Sequence, residues 1–132
     1  MTVSLLLISH DDIGEALLNT AVNILGENPL PTKVLGVSFA ADTDAILSRI
    51  ETLIKELDRG DGVLILTDLY GATPSNMAHQ YAKQPNVKIV NGINLPMLIR
   101  VLNHYSLGLL ELAETAIVGG REGILCNRRG QD

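Results

Sequence analysis

Apolar residues in this chain come in two rhythms that alternate along its length. Compact runs at residues 3–8 (VSLLLI), 33–39 (KVLGVSF), 63–66 (VLIL) and 87–90 (VKIV) are bounded by Gly, Pro, Asn or Asp and read as strands. The run 63–66 has no polar alternation, the pattern of a parallel strand covered on both faces, and is expected to be central. Between the runs the apolar positions switch to helical spacing: Ile13, Ala16, Leu17, Ala21, Ile24 and Leu25; then Ile46, Leu47, Ile50, Leu53, Ile54 and Leu57; then Leu98, Val101, Leu102 and Tyr105. Asp12 and Asp42 stand where N-caps belong, and Thr73-Pro74 reads as a cap followed by a first helical residue; that helix is predicted to run to about Lys83. Pro96 opens the next helix in the same way. Gly26 with Pro29 and Pro31, the stretch 59–62 and the stretch 84–86 are the breaks. Gly36 weakens the second run.

Strand and helix in regular alternation predict an α/β fold, a doubly wound and mainly parallel sheet with helices on both faces and right-handed crossovers. Residues 116–118 and 124–125, around Gly119-Gly120, look β-like and predict an antiparallel C-terminal edge strand; the tail 127–132 looks frayed. An edge of that kind can pair with another chain, so a homodimer is expected, with C-terminal strands exchanged between protomers as one form of it.

Composition narrows the class. At 132 residues, 46% hydrophobic and 19% charged, the chain suits one domain covering residues 1–132. No segment is long and apolar enough to span a bilayer, and the start lacks the basic region of a signal peptide, so a cytoplasmic protein is expected. The single cysteine, Cys126, offers no internal disulfide and no metal-ligand spacing, and neither metal nor cofactor is expected. A formal charge of −5 without a basic block argues against nucleic acid as a partner.

The predicted topology brings distant residues to one edge. Ligands of open α/β sheets bind at the carboxyl ends of the strands, where His10 follows the first run and Asp68 the third. A neutral imidazole is a good nucleophile near pH 7. A carboxylate on one ring nitrogen fixes the tautomer and frees the other nitrogen's lone pair. Gly71 supplies a turn, and Thr73 with neighbouring backbone N–H groups at a helix start suits phosphoryl oxygens. Asn91 and Asn94 come from the loop after the fourth run, with Asn94 a candidate for lining the site. His79 and His104 fall within helices and read as structural.

These residues resemble the enzyme IIA domains of the mannose/fructose type in the bacterial phosphoenolpyruvate-dependent sugar phosphotransferase system (PTS). The likeness runs from LLISH and EALL through LTDLYGATPSN to VNGINLPML. It implies that His10 is the phosphoacceptor, that Asp68 orients it, and that Gly71, Ala72 and Thr73 bind the phosphoryl group. It also implies a cytoplasmic dimer that takes phosphate from phospho-HPr and passes it to a IIB partner, with peripheral association to a membrane permease. Three positions depart from the family's pattern: Asp11 replaces the glycine after the histidine, Ala72 the second motif glycine and Thr73 the serine. Asp11 places a negative charge beside the acceptor and leaves room for a regulatory paralogue instead of a sugar carrier.

Other functions compete. A receiver-like aspartate phosphoacceptor would use Asp11, Asp12 and Asp68, but it needs a lysine after a final parallel strand, and Lys83 and Lys88 come too early. A flavin carrier would want stacking aromatics, and aromatic content is 3%. A non-catalytic binding module on the same fold is the third alternative.

Overall fold

The computed structural model describes residues 2–127. Four strands, β1 (Ser4–His10), β2 (Thr32–Val37), β3 (Val63–Thr67) and β4 (Val87–Asn91), pair in parallel in the order β2-β1-β3-β4. The helices are α1 (Ile13–Leu25), α2 (Thr43–Leu57), α3 (Thr73–Ala78), α4 (Leu95–Asn103) and α5 (Leu109–Glu122), with a single 3₁₀ turn His79–Tyr81 extending α3. The alternation of side chains along a strand divides the interior in two. Leu5 and Leu7 with Leu64 and Leu66 pack under α1, α4 and α5, while Leu6 and Ile8 with Val63 and Ile65 pack under α2 and α3. All eight are fully buried, as expected for interior parallel strands covered on both faces.

Several expectations need correction. No antiparallel strand joins this sheet among the described residues, because residues 116–118 lie inside α5 and Ile124 and Leu125 are exposed coil. The buried positions of α5 are Leu112, Ala113, Ala116, Gly119 and Gly120, a helical stripe made mostly of small residues. A Cβ on Gly119 would lie 2.6 Å from Arg100 Cβ, so the glycine is what lets α5 press onto α4. With the strand gone, the exchange of C-terminal strands loses its basis; the tail expectation lies outside the described residues except at Asn127.

The second correction concerns helix starts. Asp12 flanks α1 but makes no capping hydrogen bond; the Gly14 N–H is instead satisfied by Ser9 Oγ at 2.8 Å, from inside β1. Ala72, not Thr73, is the flanking residue of α3, and Thr73 is its first helical residue. The second strand ends at Val37, so Phe39 belongs to the loop before α2. Ile13, Ala16 and Ile24, placed on one apolar stripe of α1, are exposed, as is Tyr105, which lies beyond the end of α4.

Candidate functional site

The chain runs from β1 to one neighbour, β2, and then crosses to the other side of β1 for β3. The order therefore reverses between β1 and β3, and the crevice at their carboxyl ends is where such sheets bind ligands. His10 is the last residue of β1 and Asp68 follows the last residue of β3. Strand pairing here ends with Ile8 opposite Thr67; beyond it, the Asp68 side chain takes over as partner. Its Oδ2 accepts the His10 backbone N–H at 2.9 Å and lies 2.7 Å from the ring Nδ1, while Oδ1 accepts the Leu69 N–H at 2.9 Å. The two side chains are 22% and 11% exposed, enough burial to hold the geometry and enough access to react.

The Asp68 carboxyl feels two opposed influences. Burial pushes its pKa up, but the hydrogen bonds from the His10 backbone and ring, the ring's charge when protonated, and its own backbone N–H outweigh that, and the net result is a carboxyl held below the ordinary range. Asp68 is therefore a carboxylate at neutral pH. As an acceptor only, it obliges Nδ1 to carry the proton. Nε2 is then the nitrogen with a free lone pair.

His10 borders a small cavity of about 150 Å³, closed by Val37, Ser38, Phe39, Ala41, Thr43 and Thr73. Thr73 thus shares a cavity with His10. Gly71 adopts φ +85°, a left-handed turn that suits glycine, and Asn76 Nδ2 donates to its carbonyl at 3.0 Å; with Ala72 it shapes the approach to α3 without lining the cavity. Asn94 is employed elsewhere. Its Oδ1 accepts the Met97 N–H at 2.9 Å and its Nδ2 donates to the Gly120 carbonyl at 3.0 Å, and it lines a separate cavity of about 350 Å³ with Tyr70 and Arg121. Asn91 Oδ1 accepts the hydroxyls of Thr67 and Ser75, which ties the ends of β3 and β4 to α3. His79, read as structural, sits with Nε2 3.2 Å from Asn91 Nδ2 and its ring edge-on to Tyr70, and His104 Nδ1 lies 2.8 Å from the Arg100 carbonyl.

Sequence reasoning passed over Phe39 and Thr43. The Phe39 ring is 91% exposed and its centroid lies 5.7 Å from that of His10. Thr43 is the first residue of α2, as Thr73 is of α3, and like Thr73 it lines the cavity with His10. Asp11 has φ +43°, the left-handed region, where the family's glycine would be at ease. Its N–H donates to the Val37 carbonyl at 3.0 Å, and its own carbonyl packs so closely over Gly36 that no side chain fits there. The loops and helix start at this edge carry four exposed acids, Asp11, Asp12, Asp42 and Asp44, none of which lines the cavity. Among the described residues no group of three His, Cys, Asp or Glu side chains is placed to hold a metal ion.

A doubly wound sheet that presents a carboxylate-oriented histidine beside a small cavity defines the class: an α/β domain with a histidine site at its topological switch point. The chain belongs to the family described as the PTS system fructose IIA component, whose model matches residues 4–117. It is 30% identical over 129 residues to the PTS system mannose-specific EIIAB component of Escherichia coli (strain K12), an alignment covering 94% of this chain and 39% of that relative. The chain therefore spans about two-fifths of the length of that relative. The PTS system fructose-specific EIIA component of Bacillus subtilis is 27% identical over 76% of this chain and 69% of its own length. Among solved structures, the mannose/sorbose specific IIA subunit from Enterococcus faecalis superposes with a TM-score of 0.86 at 25% identity, covering 98% of this chain and 97% of that one. This is accordingly a PTS IIA component of the mannose/fructose type, from a family of phosphotransferase components serving sugar transport.

Proposed function

We propose that the chain as a whole, residues 1–132, is one IIA domain that carries phosphate on His10, accepting it from phospho-HPr and passing it to a IIB partner. The observation that carries this reading is the 2.7 Å contact of Asp68 with Nδ1, which leaves Nε2 as the reactive atom. In the transfer, the Nε2 lone pair attacks phosphorus, the Nε2–P bond forms as the donor's P–N bond breaks, and the electron pair of that bond returns to the donor imidazole. Nδ1–H stays on Asp68 throughout, so the ring's new positive charge is met by a carboxylate already in place. Thr73, which lines the cavity with His10, receives phosphoryl oxygens, while Gly71 and Ala72 form the turn that leads into it, the Ala72 N–H being held by the Leu69 carbonyl at 3.2 Å. Passage to IIB reverses the same steps.

The receiver alternative fits less well. Asp68 already accepts three hydrogen bonds, and Lys88 is the second residue of β4, opposite Leu64 and away from the carboxyl edge. On this reading the protein works in the cytoplasm, which its membership of the PTS IIA family supports. It works as a homodimer, a reading supported by the unpaired outer edge of β4 with Ile117 and Ile124 lining the cavity beside it. Sedimentation as a monomer at tens of micromolar, roughly the range of weak association, would refute the dimer.

The test uses enzyme I, HPr and labelled phosphoenolpyruvate. A phosphoramidate on His10 is lost in acid and survives in base, and His10→Ala abolishes labelling. Base-labile label that persists in His10→Ala and disappears in Asp68→Ala would overturn the histidine mechanism and favour the aspartate acceptor.

A further inference from the structure

Thr43 and Thr73 occupy equivalent places in different helices. Each is the first helical residue of an element that starts at the carboxyl edge, and each is exposed. Neither serves as a cap: Asp42 caps α2 by accepting the Asp44 N–H at 3.2 Å, and α3 starts from Ala72 without any side-chain cap. Both line the His10 cavity of about 150 Å³, and both also line the neighbouring cavity of about 260 Å³ beside Leu47 and Met77. The two threonines are therefore a shared wall, presented to His10 from the side of α2 and α3.

The cavity holds about five waters at ~30 Å³ each, which is room for a phosphoryl group and its nearest water. That group brings on the order of two negative charges. The loops at this edge, 11–12, 38–42, 68–72 and 92–94, contain no Lys or Arg, while Asp11, Asp12 and Asp42 are exposed among them. Helix α3 has six residues and offers little dipole. Neutral donors must therefore take the phosphoryl oxygens, and one hydroxyl can meet one of them.

We infer that Thr43 is a second phosphoryl-binding residue, its hydroxyl donating to the phosphoryl group on His10 alongside Thr73; this rests on His10 being the phosphoacceptor. Nothing in the motif around residues 62–76 points to it, since Thr43 starts α2, distant from that motif in sequence, and reaches the site only through the fold.

The experiment measures labelling of the full chain by phospho-HPr in rapid quench, together with the labelled fraction at equilibrium, for wild type, Thr43→Val, Thr43→Ser and His10→Ala. A hydrogen bond to a charged group of ordinary strength predicts roughly a tenfold fall in the equilibrium constant for Thr43→Val. Thr43→Ser, which keeps the hydroxyl, restores it, and the thermal unfolding of all variants is close to wild type. Wild-type behaviour in Thr43→Val, with His10→Ala dead, overturns the inference and leaves the phosphohistidine reading standing. An equal loss in Thr43→Ser and Thr43→Val also overturns it, because the hydroxyl would not be what matters. No label on wild-type protein, or label that survives in His10→Ala, overturns both together.

Discussion

Replacing Asp68 by Asn removes a charge while changing little in shape, and the consequences can be worked from its three contacts. The carboxylate accepts from His10 N and Nδ1 through one oxygen and from Leu69 N through the other. An amide has one acceptor and one donor, so whichever way it turns, at least one N–H meets an NH₂ group. Turning the oxygen toward His10 preserves both histidine contacts and opposes the Leu69 N–H; the reverse forces the ring to change tautomer and loses the His10 N–H contact as well. The first arrangement costs one charge-assisted hydrogen bond, about 1.5–3 kcal/mol in a well-buried setting and less at this partly open edge, so about 1–2 kcal/mol of stability. It also removes the anion that offsets positive charge on the ring during transfer, and the phosphorylation rate should fall by roughly one to two orders of magnitude. The pH dependence has a definite sign. A carboxyl held low in the folded state contributes stability above its ordinary value, lost as pH falls through the lowered folded value. The stability gap between wild type and Asp68→Asn should therefore be full at neutral pH, shrink below about pH 4 and close in stronger acid. Quench-flow labelling and thermal unfolding from neutral to acid pH measure both effects. A folded Asp68→Asn that labels at the wild-type rate would remove Asp68 from the mechanism.

Other outcomes follow from backbone and packing. Asp11→Gly relieves a left-handed residue and should raise stability by about 1 kcal/mol, read as a higher melting temperature. Gly36→Ala sets a methyl against the Asp11 carbonyl and should cost about 1–3 kcal/mol, with slower labelling because the turn after His10 shifts; unchanged melting would refute the contact. Gly119→Ala pits a helix-propensity gain of about 1 kcal/mol against a clash with Arg100. The clash should win, and a higher melting temperature would show that α4 and α5 pack less tightly than described.

What could be read in the residues was what is local. The runs ending in His10 and Thr67 carry their burial in their own composition, and the stretch from Asp68 to Thr73 carries its turn and helix start in six consecutive residues. Helix α5 was hidden because Ile117 and Val118 have β-like propensity and lie exposed, while the buried stripe is built mostly of Ala and Gly, whose small side chains give a weak periodic signal. Thr43 and Phe39 were hidden for another reason. Their proximity to His10 depends on where the loop after β2 closes, a fact of tertiary geometry that no spacing records. The Ser9 cap of Gly14 belongs to the same kind, since the nearer Asp12 is the obvious choice until the strand's last turn is seen.

The exposed acids on the loops at the carboxyl edge bear on how such a molecule would be read by others. On the proposed mechanism the imidazole has the same tautomer empty and loaded, and Asp68 holds it in both conditions, so loading asks for no rearrangement of the backbone. What changes is the potential at one patch of surface, where on the order of two further negative charges would join Asp11, Asp12, Asp42 and Asp44. A listener that senses the state of this protein would then weigh charge and not shape. Its discrimination between the two forms would fade as salt is raised, over a screening length of about 8 Å at physiological ionic strength.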